Sequence, residues 1–90
     1  MNNEIEYETK LEDGTIITSY LASAHAEGFC EGEDASINNQ LKAWSYLIGT
    51  GIVWKLQGFY GSTANGLIES NYISKEGILN WELINNDINK

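Results

Sequence analysis

Residues 43–73 constrain the fold more than any other part of the chain, because they hold two of the three tryptophans and five of the nine glycines. The apolar periodicity breaks at the glycines, which divides this stretch into short segments with helical spacing. Helices shorter than about a dozen residues are marginal in water, so tertiary packing must hold them. The pattern therefore predicts a helical core. Its buried side chains are predicted to be Trp44, Leu47, Ile48, Val53, Trp54, Leu56, Leu67 and Ile68.

The longest predicted helix starts near residue 35, where apolar residues begin to recur at helical spacing. Asp34 or Ser36 is expected to cap its N-terminus, because a short polar side chain at that position accepts a hydrogen bond from a free backbone N–H. Gly49 is expected to end the helix in the left-handed conformation that glycine tolerates.

Two shorter helices are predicted at residues 52–57 and 63–70, with Asn71 as a left-handed terminator of the second. A helix, a tight turn and another helix are also the parts of a DNA-reading helix-turn-helix motif. Residues 63–70 would be the recognition helix, and they contain no basic side chain. The DNA-reading interpretation is therefore rejected on chemical grounds.

A recognisable pattern runs from Trp44 to Glu69: W-x-Y-L-I-x-T-G-x-V-W-x-L-Q-G-x-Y-G-x-T-A-x-x-L-I-E. It resembles a family of short proteins encoded by tailed bacteriophages, over roughly residues 29–73. The resemblance implies a viral source and carries over no catalytic or binding residue, since that family has no assigned activity. Ser62 stands where members of the family often have a basic residue, which argues against anion binding at this turn.

The N-terminal residues predict a β-hairpin over residues 1–21. Apolar and charged residues alternate along residues 5–11, and the Asp13-Gly14 pair is a strong signal for a two-residue hairpin loop. Such a loop places Glu6 and Glu8 on the solvent face of the hairpin. The register predicts the cross-strand pairs Leu11–Ile16, Thr9–Thr18 and Tyr7–Tyr20.

Residues 21–31 predict a short helix interrupted at Gly28. His25 and Cys30 lie on this element, but their spacing points them to different faces, so we interpret them as structural rather than as a nucleophilic pair. The acidic residues that follow lack the ligand spacing of a calcium loop, and a solvated linker is the expected structure. No catalytic residue, metal site or cofactor is predicted.

The C-terminal residues 74–84 are rich in β-branched and aromatic residues and predict a third strand that adds to the hairpin. A helix over the same residues is the alternative that the pattern leaves open. The predicted fold is a single α+β domain over residues 1–90, with a small three-stranded antiparallel sheet and three or four short helices packed on one face. Its parts are a hairpin at 1–21, a helical core at 22–73, the third strand at 74–84 and a frayed tail at 85–90.

The charge is strongly segregated. Residues 1–34 hold nine acids and one lysine, which gives −8, whereas residues 35–90 hold four acids and four lysines. The chain contains no arginine, so phosphate recognition is disfavoured and nucleic acid is not an expected partner. An acidic surface attracts basic protein surfaces instead, although solubility alone is an open alternative explanation.

The resemblance implies a phage-encoded accessory protein. It is expected in the host cytoplasm, because neither a membrane span nor a secretory leader is apparent. It is expected to bind and modulate or inhibit a host protein with a basic surface, in host takeover or anti-defence. The predicted contact residues are Glu4, Glu6, Glu8, Glu27, Glu31 and Glu33.

Two other functions stay open. One is a minor structural or assembly protein of the virion. The other is a protein that sequesters a signalling nucleotide. For the latter, stacking on aromatic side chains would need nearby cations, which only Lys42 and Lys55 supply. The aromatic candidates are Trp44, Trp54, Phe59 and Tyr60.

Overall fold

Helices form most of the regular structure in the computed structural model, which describes residues 6–27, 36–56 and 58–87. Strand pairing in these ranges is confined to two single-residue antiparallel bridges, Lys10 with Ile16 and Ile73 with Leu79. The predicted three-stranded sheet is therefore wrong, and the fold is helical. Its elements are α1 (Ser19–Glu27), α2 (Ile37–Thr50), a 3-10 helix (Ile52–Lys55), α3 (Phe59–Glu69) and α4 (Trp81–Asp87).

Helix α2 lies at the centre of the fold and is the longest of these elements. Ser36 caps its N-terminus by accepting a hydrogen bond from the Asn39 N–H at 3.1 Å, as predicted. The helix passes through Gly49 and ends at Gly51, whose φ of 82° is left-handed. Gly49 serves another purpose, since a Cβ there would overlap the Tyr7 ring. The prediction that Gly49 ends the helix is therefore wrong. Glycine is needed at this position because Tyr7 packs against it, and a contact between residues so far apart in the sequence is not visible in the local pattern.

The first hairpin loop contains three residues rather than the expected two. The Gly14 N–H donates to the Leu11 carbonyl and the Leu11 N–H donates to the Thr15 carbonyl, each at 2.9 Å. Gly14 has a φ of 90° and Asp13 does not have a positive φ, so a turn with two left-handed residues is not formed.

The longer loop shifts the register of the hairpin by one residue. Lys10, not Leu11, now pairs with Ile16. A shift of one residue turns every side chain to the opposite face. Ile17 is consequently buried at 4% exposure, whereas Ile16 is 67% exposed. Tyr20, which was expected to pair with Tyr7 in a strand, lies in the first turn of α1.

A second hairpin of the same construction replaces the predicted third strand. The Gly77 N–H donates to the Ser74 carbonyl and the Ser74 N–H donates to the Ile78 carbonyl, each at 2.9 Å. Gly77 has a φ of 91°. Asn80 then starts α4, because its side-chain oxygen accepts from the Leu83 N–H at 3.2 Å. Residues 85–87, assigned above to a frayed tail, belong to α4.

Each hairpin leads directly into a capped helix. Thr18 caps α1 by accepting from the Leu21 N–H through its hydroxyl and from the Ala22 N–H through its carbonyl. Asn80 makes the equivalent two contacts at the start of α4. The described part of the chain therefore contains two similar hairpin and helix units, one before α2 and one after α3.

The tryptophans differ in their environments. Trp44 is 5% exposed, as predicted, but Trp54 is 49% exposed, so its assignment to the core is wrong. Trp54 lies in the 3-10 helix, where successive residues point about 120° apart. Because this short helix turns Val53 fully inward, Trp54 faces outward. Helix α3 begins earlier than residue 63, and Asn71 follows it with the left-handed φ of 68° that the sequence predicts.

Candidate functional site

The described residues that precede α2 form an acidic structure, which we call the N-terminal unit (residues 6–27). It consists of the first hairpin and α1, and α1 packs on α2. The exposed charged residues of this unit are Glu6, Lys10, Glu12, Asp13 and Glu27. Ile16 and Tyr20 also lie on it, and they are the most exposed large hydrophobic side chains of the described residues, at 67% and 63%. The surface thus combines carboxylates with apolar area.

Glu8 takes part in folding rather than in a solvent-facing stripe. Its carboxylate accepts from the Lys42 ammonium group at 2.9 Å, and its side chain is 27% exposed. The same ammonium group lies 5.5 Å from the centre of the Trp81 ring, a distance suited to a cation–π contact. Lys42 therefore joins the N-terminal unit to both α2 and α4.

Ser45 connects both hairpins to α2 from a fully buried position. Its hydroxyl accepts a hydrogen bond from the Glu8 N–H at 2.8 Å and donates one to the Gly77 carbonyl. A partly buried donor and a buried acceptor of the backbone are thereby satisfied by a single side chain. This arrangement fixes the position of the N-terminal unit on the helical core.

Glu12 binds the N-terminus of α2. Its two carboxylate oxygens accept from the Ser36 hydroxyl at 2.9 Å and from the Asn38 amide at 3.1 Å. The Glu12 N–H donates to the Asn39 side chain at 2.8 Å. The hydrogen bonds from Asn38 and Ser36 lower the pKa of Glu12 below its ordinary value, because they favour the ionised carboxylate. Glu12 is thus a structural acid.

This lowered pKa predicts a loss of stability in acid. A carboxyl group whose pKa is depressed by folding stabilises the native state above its unfolded pKa, about 4.3 for glutamate. That contribution disappears as the pH falls through the lowered pKa. We expect Glu12→Gln to weaken the protein at neutral pH and to reduce the further loss of stability on acidification. Urea unfolding midpoints at pH 6 and in acid measure both effects.

Glu69→Gln is the matched control, since Glu69 is an exposed acid on α3. It should leave the neutral midpoint and its acid dependence close to those of the parent. If Glu12→Gln instead shows the full acid dependence of the parent, the Glu12 carboxylate does not stabilise the start of α2.

The aromatic cluster considered for nucleotide binding does not have Lys42 beside it. Trp44, Phe59 and Tyr60 form a cluster with ring centroids 5.1–6.0 Å apart. Lys42 contacts Trp81 instead.

A separate open groove of about 930 Å³ lies beside α4, and it is lined mainly by aliphatic side chains such as Ile78, with one charged residue, Lys75.

His25 is buried in α1, and its Nδ1 atom finds no hydrogen-bond partner among the described residues. Cys30, with which it was considered as a pair, lies outside those residues.

Within the described ranges, no three His, Cys, Asp or Glu side chains group in a way that could hold a metal ion. None of the helices in these ranges has the length and apolar character needed to cross a bilayer.

Residues 29–86 match the model of a protein family that is described as a domain of unknown function, DUF7417. The chain belongs to this family. The DUF7417 match includes α2, the 3-10 helix, α3 and all of α4 except its last residue, Asp87, whereas the N-terminal unit precedes it. Comparisons with curated proteins and with solved structures gave no match.

In this DUF7417 chain, the predicted contact acids have different environments. Glu6 and Glu27 are exposed and Glu8 is paired with Lys42. The predicted contacts Glu4, Glu31 and Glu33 lie outside the described residues. Sequence reasoning missed the exposure of Ile16 and Tyr20. The signal was present in Leu11-Glu12-Asp13-Gly14-Thr15, which also fits a three-residue loop with glycine at its left-handed position.

Proposed function

We propose that this DUF7417 member is a phage-encoded accessory protein that acts in the host cytoplasm by binding a host protein and modulating or inhibiting it. It catalyses no reaction in this proposal, and its partner presents a basic surface. The observation that carries the proposal is the exposure of Glu6, Asp13 and Glu27 on a unit that holds a large share of the excess negative charge.

The structural acids and the surface acids can be separated. Glu8 pairs with Lys42, and Glu12 accepts from the Ser36 hydroxyl and the Asn38 side-chain amide at the start of α2, so folding accounts for both of these carboxylates. Glu6 and Glu27 stay exposed, and Asp13 is an exposed loop residue whose carboxylate accepts from the Thr15 N–H. Like charges on one unit repel each other, and a basic partner relieves that repulsion.

A basic protein fits this charge better than a nucleic acid does. Nucleic-acid binding depends on cations that replace the counterions of the phosphates, and the chain carries a net charge of −8 with no arginine. Complementary charge chiefly raises the rate of association and selects the partner. The proposal therefore predicts salt-sensitive association kinetics.

The test compares two variants that each remove three acids. The first, Glu6→Gln with Asp13→Asn and Glu27→Gln, neutralises three exposed acids of the N-terminal unit. It leaves Glu12 unchanged, which is also exposed but is hydrogen bonded to Ser36 and Asn38. Asparagine keeps an oxygen that can accept from the Thr15 N–H. The matched control is Glu69→Gln with Glu76→Gln and Glu82→Gln, which neutralises exposed acids of α3, the second hairpin and α4.

The parent is used to capture proteins from host lysate, and association with the recovered protein is then followed at several salt concentrations. We expect the first variant to associate several-fold more slowly, with a flatter dependence on salt, and the control to behave like the parent. Unchanged association of the first variant, together with greater self-association, would contradict the binding role. The acids would then serve to keep the chain from pairing with other copies.

A further inference from the structure

We propose that Ile16 and Tyr20 are the apolar anchor of the partner contact, and that they enter an apolar pocket within a basic protein surface. This inference rests on the proposed function. It adds the residues that hold the complex together after the charges have brought the two proteins into contact.

The register of the first hairpin gives it a buried face and an outer face. Leu11 and Ile17 are buried, whereas their neighbours Lys10 and Ile16 are exposed and pair across the hairpin. Hydrogen bonds flank this pair on both sides, from the Leu11 N–H and the Ile17 N–H. In a pair of this kind the two side chains stand close together on one face. The aliphatic stem of Lys10 therefore extends the apolar area around Ile16.

Helix α1 carries Tyr20 on its outer face. Ala22 and His25 of this helix are buried, whereas Tyr20 and Glu27 are exposed. Residues seven apart lie two turns from each other on the same side of a helix, so Tyr20 and Glu27 share a face. Tyrosine is a frequent anchor at protein interfaces, because it combines a large apolar ring with a polar end.

The charge around these residues selects the occupant. Asp13 lies in the hairpin loop, Glu27 lies on the Tyr20 face and Lys10 stands beside Ile16. Acids still prevail, since the N-terminal unit holds five acids and one lysine, so any partner must tolerate an excess of carboxylates. A second copy of the chain would bring the same acids and be repelled, and a nucleic acid would bring phosphates. A basic protein surface with an apolar pocket complements both the charge and the exposed side chains.

Anchor residues and charged residues affect different rates. Side chains buried at the centre of an interface mainly determine how fast the complex dissociates, whereas surrounding charges mainly determine how fast it forms. The apolar anchor can therefore be tested separately from the acids of the proposed function.

The anchor variant combines Ile16→Thr with Tyr20→Gln. Threonine keeps the β-branched shape that suits a hairpin, and glutamine suits a helix. Ile16→Thr alone is the second variant and avoids any change in α1. The matched control combines Ile78→Thr with Trp54→Gln, which are exposed apolar residues of the second hairpin and the 3-10 helix. Thermal unfolding confirms that each variant folds.

The probe is the host protein recovered with the parent chain. We expect the anchor variant to dissociate about tenfold faster or more, with association and salt dependence unchanged, because anchor residues carry most of the affinity of an interface. Ile16→Thr alone should show a smaller change in the same direction, and the control should match the parent.

Each other outcome identifies what fails. The anchor variant could dissociate at the same rate as the parent, while the variant that lacks the exposed acids still associates more slowly. That result overturns the anchor and leaves the proposed function intact. An equal loss in the control also overturns the anchor, because exposed apolar area elsewhere would then serve as well. If the parent captures no host protein, or captures only proteins that the variant lacking the exposed acids captures equally well, both the anchor and the proposed function are overturned.

Discussion

Gly77→Ala is expected to destabilise the protein by about 2–5 kcal/mol, a large part of the total stability of a small domain. Two effects contribute. Gly77 has a φ of 91°, and the left-handed conformation costs an alanine about 1–2 kcal/mol. A Cβ there would also lie 2.6 Å from the Ser45 carbonyl oxygen and 2.7 Å from the Gly49 nitrogen. Overpacking of this kind typically costs about 1–3 kcal/mol.

Gly14→Ala separates these two effects. Gly14 occupies the same position in the first hairpin with a φ of 90°, but none of the described atoms lies within 4 Å of its missing Cβ. Its replacement should therefore cost only about 1–2 kcal/mol, the backbone contribution. Urea unfolding of the two variants gives the packing contribution as their difference. Equal losses would show that the second hairpin does not press on the backbone of α2.

The two hairpins also show what the sequence could predict. The Asp13-Gly14 pair locates the first turn correctly, because the demand for positive φ is local. The loop length is not determined by that pair, since glycine serves both a two-residue and a three-residue loop. Burial of Ile17 rather than Ile16 against the rest of the protein accompanies the longer loop. Because of this single-residue shift in register, the sequence pattern did not predict that Ile16 is exposed at the candidate site.

Helix α2 shows the same division between local and distant determinants. Its apolar spacing and its cap by Ser36 are local, and the sequence predicts both. The position of its C-terminal end is not determined by the local pattern, which offers both Gly49 and Gly51 as terminators. Gly51 provides the left-handed stop, whereas Gly49 is required by its contact with the distant Tyr7. Glu8 was placed in solvent by alternation alone, but Lys42, which is 34 residues away, binds it.

The C-terminal residues show how a capping residue can override strand propensity. β-branched and aromatic residues over positions 78–84 favour a strand. Asn80 interrupts that pattern, because its side chain and its carbonyl bind the N–H groups of Leu83 and Ile84 and so begin α4. A strand across this position would have to give up both hydrogen bonds. Asparagine followed by a short apolar helix was the available signal.

Trp44→Ala is expected to reduce the free energy of unfolding by about 3–5 kcal/mol, the usual result of truncating a buried aromatic side chain. Trp44 is 5% exposed in α2, and its ring lies 6.0 Å from that of Phe59 and 5.9 Å from that of Tyr60, centre to centre. Removal of the ring leaves a cavity between α2 and α3. It also removes the partner that holds the start of α3 in place.

Trp54→Ala is the matched control within the same chain, because Trp54 is half exposed. Its truncation should cost on the order of 1 kcal/mol, as is typical of partly exposed sites. Urea unfolding followed by far-UV circular dichroism reports both variants without depending on the tryptophans themselves. Trp44→Phe serves if Trp44→Ala does not fold, and its loss should be smaller because an aromatic ring still fills much of the site. Equal losses for the two alanine variants would place Trp54 in the core, since only a buried ring leaves a cavity that the surrounding side chains cannot fill.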